Sequence, residues 1–169
     1  MNILDAIVEH KRIEILKRKQ KRPLSDLQTF PHYQRAVNPI TLPEAGKAGI
    51  IAEFKRQSPS KGPLNMDADV KVVAAAYQAA GVSVMSVLTD RKFFGGSFRD
   101  LSDAREVCPK LPILRKDFMI DPYQVHEARA YGADMILLIA AILEKQQLAD
   151  LAEEARALGL HVLLEVHDA

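Results

Sequence analysis

Four ionisable residues sit inside or at the ends of short apolar runs, where charge is costly: Glu53 and Lys55 in IIAEFKR, Lys116 closing PILRK and Glu165 closing HVLLE. An amine beside a carboxylate can divide proton transfer. One holds a proton for a reacting oxygen and the other removes a proton, provided burial and neighbouring charge move their pKa values toward neutrality. A pair of lysines also suits an anionic substrate. Taken singly, each of these charges reads as a solvated rim residue or as an ion pair that ends a strand. Taken jointly, three strands deliver charge at one level of a sheet, the level at which parallel α/β folds place their chemistry. Glu53 and Lys55 share a face by the strand period of two, with Ile51 further back on the same side.

Two loops flank these charges. RQSPSKGPLN after the first run is long and rich in Ser, Pro and Gly, and FFGGS follows the second. Long βα loops form the working face of such folds. Phe93 and Phe94 can be ordinary core or the wall of a pocket for a planar substrate. His10, His32, His126, His161 and His167 are scattered singly and read as surface or cap residues, although His167 lies two positions past Glu165.

The elements that must position these groups follow a rhythm. Apolar runs at 49–55, 82–89, 112–116, 134–140 and 161–166 alternate with amphipathic helical stripes, such as Val70, Val73, Ala74 and Tyr77, or Leu148, Leu151 and Ala155. Gly81, Gly132 and Gly159 each stand between a helical pattern and a strand, where a left-handed cap belongs, and Asp121-Pro122 reads as an N-cap followed by proline at the first helical position. Five βα units result. They fit either a doubly wound open sheet or part of a (β/α)8 barrel. Neither G-x-G-x-x-G nor G-x-x-x-x-G-K-[ST] follows any strand, which weakens dinucleotide and P-loop readings.

Ahead of the units, residues 2–20 form an amphipathic helix with Ile3, Leu4, Ile7, Val8, Ile15 and Leu16 on its apolar side, ending before Pro23. The basic run KRKQKR at 17–22 reads as a solvated helix end favoured by the macrodipole rather than a nucleic-acid patch. Residues 23–48 are a proline-broken connector. The expected division is therefore 1–48, helical extension and connector, and 49–169, a partial barrel.

Composition narrows the function. The 169 residues carry 23 basic and 22 acidic side chains, for a net charge of +1, so no global field points to nucleic acid or a membrane surface. One cysteine, Cys108, cannot form an internal disulfide, and no His/Cys cluster has metal-ligand spacing. A reduced, metal-free, cytoplasmic protein is expected, with Cys108 an inert packed thiol.

The ordered segments IIAEFKRQSPSKG, SVLTDRKFFGGS, PILRKDFMIDPYQVHEARAYGADMILLIAAIL and LLEVHDA, with the opening ILDAIVEHKRIEILKRK, resemble those of the indole-3-glycerol-phosphate synthases across essentially the whole chain. The resemblance implies an α/β fold of the TIM-barrel family, (β/α)8, represented here by about five units behind an N-terminal helical extension. It implies cofactor-free ring closure of 1-(2-carboxyphenylamino)-1-deoxyribulose 5-phosphate, a phosphorylated small molecule, to indole-3-glycerol phosphate with loss of carbon dioxide and water. It further implies Lys116 as general acid at the ketone oxygen, Glu165 as base or proton partner in dehydration, Lys55 as a cation that positions substrate and shares acid work, and Glu53 as the group that orients the lysines. Phe94, Phe118 and Leu137 match apolar positions around the anthranilate ring, and Ser58 lies in a loop that closes over substrate. The family's three further units carry its phosphate turns. The 169-residue chain alone is accordingly expected to be weakly active or inactive, with exposed sheet edges that invite self-association or a purely structural role.

Overall fold

The computed structural model describes residues 3–41, 43–45 and 48–166. Helices α1 (Ile3–Lys21) and α2 (Leu24–Leu27) precede strand β1 (Ile51–Phe54). A two-strand hairpin, β2 (Gln57–Ser58) and β3 (Gly62–Pro63), follows. Then come α3 (Val70–Ala79), β4 (Val84–Leu88), α4 (Arg91–Phe94), α5 (Phe98–Val107), β5 (Ile113–Lys116), α6 (Pro122–Ala130), β6 (Met135–Ile139), α7 (Lys145–Ala157) and β7 (His161–Glu165). His167 lies outside the described residues. Among the described residues no helix is long and apolar enough to cross a membrane.

Strands β1, β4, β5, β6 and β7 form one parallel sheet in that spatial order. A doubly wound sheet would reverse direction at a switch point. This one advances strand by strand with a helical crossover each time, the order of a (β/α)8 barrel, and the fold is an α/β partial barrel. Each strand core is slightly shorter than the apolar run that predicts it, and the loop after β1 is partly ordered as the hairpin β2–β3, in which Ser58 pairs with Gly62.

Alternation sorts the strands into two faces. Phe54, Met85, Val87, Ile113, Ile136 and Leu138 pack outward against helical residues that include Val70, Ala74, Leu101, Val125 and Leu151. Val84, Leu114, Met135, Leu137 and Ile139 form the inner cluster with Phe118 and with Ile7 of α1. Cys108 is buried in the outer layer, and burial pushes its thiol up. The anticipated caps are present: Gly81, Gly132 and Gly159 have φ of +74°, +92° and +72°, and Asp121 accepts from the Tyr123 N–H at 2.9 Å while Gln124 Oε1 accepts from the Asp121 N–H at 3.1 Å.

Two readings of α1 change. Its buried stripe is Ile7, Lys11 and Ile15, whereas Ile3 and Leu16 are exposed. The basic end is not simply solvated. Arg18 donates to Glu127 of α6 at 2.7 Å, Lys19 meets Asp121 at 2.7 Å and Arg22 donates to the Tyr131 hydroxyl. The reason is the partner surface: α6 presents acceptors where α1 ends, so the run docks the helix.

Candidate active site

Strand register lines up the charges. Glu53 stands opposite Ser86, Leu88 opposite Lys116 and Ile139 opposite Glu165. On β1, Phe54 points into the outer core, so Glu53 and Lys55 take the inner side; on β5, Ile113 is in the outer cluster and Leu114 in the inner one, which turns Lys116 inward. The four groups consequently meet. Lys55 Nζ is 2.7 Å from Glu53 Oε1, Lys116 Nζ is 3.9 Å from Glu53 Oε2, and Lys116 Nζ is 3.7 Å from Glu165 Oε2. The row runs cation, anion, cation, anion. Each side chain keeps about a third of its surface exposed, 31–33%, so the groups are reachable by a ligand while their nearest neighbours carry the opposite sign.

Beside the row a cavity of about 420 Å³ is lined by Lys55, Ser58, Lys61, Phe94 and Phe118, with Ile3, Leu4 and Ile7 of α1 on one side. Phe94 and Phe118 are tilted at 39° with centroids 5.9 Å apart. Leu137 does not line this cavity. It is fully buried behind it, in the inner cluster with Phe118. Ser58 is buried, and its hydroxyl accepts from the Lys61 N–H at 3.2 Å, which folds the SPSKG segment onto itself. The segment is tied down by Arg56, whose guanidinium donates to Asp100 at 2.7 and 2.9 Å and to the Ala68 carbonyl at 3.0 Å.

The loop after β4 explains the FFGGS run. Asp90 caps α4 by accepting from the Phe93 N–H at 2.7 Å, and Gly95 closes it at φ +65°. At Gly96 a Cβ would sit 2.1 Å from the Leu88 carbonyl oxygen, so only glycine lets the turn return against the strand. Phe94 is held at the cavity by this close turn. Two of the isolated histidines make structural contacts elsewhere: His126 Nε2 is 2.9 Å from Glu154 Oε1, and His161 pairs with the Asn38 carbonyl at 3.2 Å.

Sequence reasoning missed a cluster of buried charge past the same strand ends. Lys11 of α1 meets Asp90 and Asp117, and Asp117 also takes hydrogen bonds from Thr89 at 2.6 Å and Arg115 at 2.9 Å. The available signal was a lysine four residues from Ile7 and from Ile15, interrupting the apolar stripe of α1.

The family model described as indole-3-glycerol phosphate synthase matches residues 4–169. Similar curated proteins carry the same name. An indole-3-glycerol phosphate synthase of Bacteroides thetaiotaomicron is 46% identical over 169 residues, 99% of this chain and 65% of that protein. Indole-3-glycerol phosphate synthase 2 of Ralstonia nicotianae is 47% identical over 173 residues, 99% of this chain and 64% of its own length. A Laribacter hongkongensis indole-3-glycerol phosphate synthase is 43% identical, with 65% of its length covered. The chain thus spans about two-thirds, 63–65%, of the curated relatives it matches.

Proposed function

The chain belongs to the indole-3-glycerol phosphate synthase family, and from that premise we propose that the row Lys55–Glu53–Lys116–Glu165 carries out decarboxylative ring closure in the cytoplasm. The substrate is 1-(2-carboxyphenylamino)-1-deoxyribulose 5-phosphate. The reaction needs an acid at a ketone oxygen, a flat apolar slot for the aromatic ring and a base for the final proton. Lys116 donates to the ketone oxygen as the ring carbon bonds to the carbonyl carbon. Carbon dioxide then leaves from that ring carbon, its bonding electrons restoring aromaticity. Glu165 assists the loss of water that completes the indole. Lys55 positions the anionic substrate and shares acid work, and Glu53, shared between both lysines, sets their spacing.

The single observation that carries this reading is the alternating row beside a cavity walled by Phe94 and Phe118. Two lysines that line the cavity, Lys55 and Lys61, favour a substrate bearing a carboxylate and a phosphate, and tilted aromatic faces favour a planar ring. The test is to incubate the protein carrying this chain with the substrate and to count carbon dioxide and indole chromophore together. Equimolar release above the uncatalysed rate is expected; no release above that rate would remove the proposal.

A second reading, association of copies through sheet edges, is favoured by one observation. The edge strands and their flanks expose Ile50, Ile51, Leu164 and Val166.

A further inference from the structure

Lys11 has no exposed side-chain surface. Its Nζ stands 2.8 Å from Glu14 Oε2, 2.8 Å from Asp90 Oδ2 and 2.9 Å from Asp117 Oδ1. Glu14 belongs to α1 itself, whereas Asp90 lies two residues past the C-terminal end of β4 and Asp117 directly follows that of β5. Those two carboxylates also hold backbone. Asp90 Oδ1 accepts from the Phe93 N–H at 2.7 Å, and Asp117 Oδ1 accepts from the Phe118 N–H at 2.8 Å. One cation on α1 is thereby joined, through one carboxylate each, to the segments that carry both aromatic walls of the cavity. Asp117 is also the chain neighbour of Lys116.

We propose that Lys11 is a positioning residue, which fixes Phe94, Phe118 and Lys116 by gripping Asp90 and Asp117 from α1. The assignment of what is positioned rests on the proposed function. Stability alone does not require a cation here, because an apolar side chain in the same stripe would bury α1 without removing a charge from water, and well-packed apolar replacements of buried ion pairs are often neutral or stabilising. A fully paired buried charge does something packing does not. It selects one geometry, since any displacement of either loop leaves an oxygen or the amine uncompensated.

The experiment compares the wild-type protein with Lys11→Met, the double variant Lys11→Met/Asp90→Asn and Glu14→Gln, using amide hydrogen exchange read by NMR alongside turnover. In Lys11→Met the Phe93 and Phe118 amides are expected to exchange about tenfold or more faster relative to Ile136 and Leu138 of β6, which report the core. kcat should fall with them. The double variant sheds one freed carboxylate and keeps the prediction at Phe118, so a folding failure of the single variant leaves the question decidable. Glu14→Gln removes a partner that holds neither wall and should leave Phe118 exchange and kcat within about twofold. Uniform acceleration along the chain, unchanged Phe118 exchange, a double variant that does not fold, or a Glu14→Gln effect as large as that of Lys11→Met would each overturn the proposal. Absence of turnover in the wild type would instead remove the proposed function, with the exchange pattern still deciding whether Lys11 positions the loops.

Discussion

Glu165 occupies the end of the charged row opposite Lys55, 3.7 Å from the Lys116 amine. In the proposed order, ring closure and loss of carbon dioxide precede dehydration, so a carboxylate that serves dehydration should be separable from the acid that serves closure. Glu165→Gln is expected to slow indole formation by about 10²–10⁴-fold, with first-turnover carbon dioxide release outrunning the indole chromophore in quenched-flow samples. Equal slowing of both products would assign Glu165 to the earlier step. All four residues of the row were legible in the sequence, because each interrupts or ends an apolar run that has no other use for charge. Lys11 was not, although it too breaks an apolar stripe. On a helix rich in Lys and Glu one more lysine reads as solvated, and its partners Asp90 and Asp117 come near only through the tertiary fold.

The strands were legible for the same reason that they are strands: five apolar runs separated by helical stripes permit little else. Their order was not, since the βα rhythm fits an open sheet equally well, and only the strand-by-strand pairing decides for a barrel arc. The hairpin β2–β3 and the single turn α4 escaped notice because two-residue strands and a four-residue helix have no periodicity to read. For the proposed association of copies the element that matters is the edge. Ile51 on β1 and Leu164 on β7 are 48% and 49% exposed, and among the described residues each edge strand has a strand neighbour on one side only. Sedimentation velocity should show weight-average mass rising with concentration, and Leu164→Lys should reduce that rise by charging the edge. A mass independent of concentration in both proteins would contradict edge pairing.

Across the whole molecule, buried charge ties the N-terminal helix to the sheet, and this makes stability depend on pH at both extremes. Burial alone would raise the Asp117 carboxyl, but Lys11, Arg115 and the Thr89 hydroxyl together hold it well below the usual carboxylate range. A depressed carboxylate contributes stability that is present above its unfolded value of about 3.9 and is lost as pH falls through the folded value. Burial likewise opposes the charge on Lys11, yet Asp117, Asp90 and Glu14 push its amine above the ordinary lysine value. That contribution is present below about pH 10.4 and is lost as pH rises through the folded value. Thermal unfolding followed by circular dichroism should therefore show Tm falling below about pH 4 and again above about pH 10.4. Asp117→Asn should flatten the acid limb; an acid limb unchanged by that substitution would contradict the role given to the carboxylate.

General-acid catalysis by Lys116 is decided by kcat for indole-3-glycerol phosphate formation by the protein carrying this chain, measured at saturating substrate for wild type and Lys116→Ala. Lys116 is one-third exposed between Glu53 and Glu165 and belongs to neither hydrophobic cluster of the sheet, so the variant should keep its Tm and lose about 10²–10⁴-fold in kcat. A folded variant whose kcat stays within about threefold of wild type would contradict general-acid catalysis by this lysine.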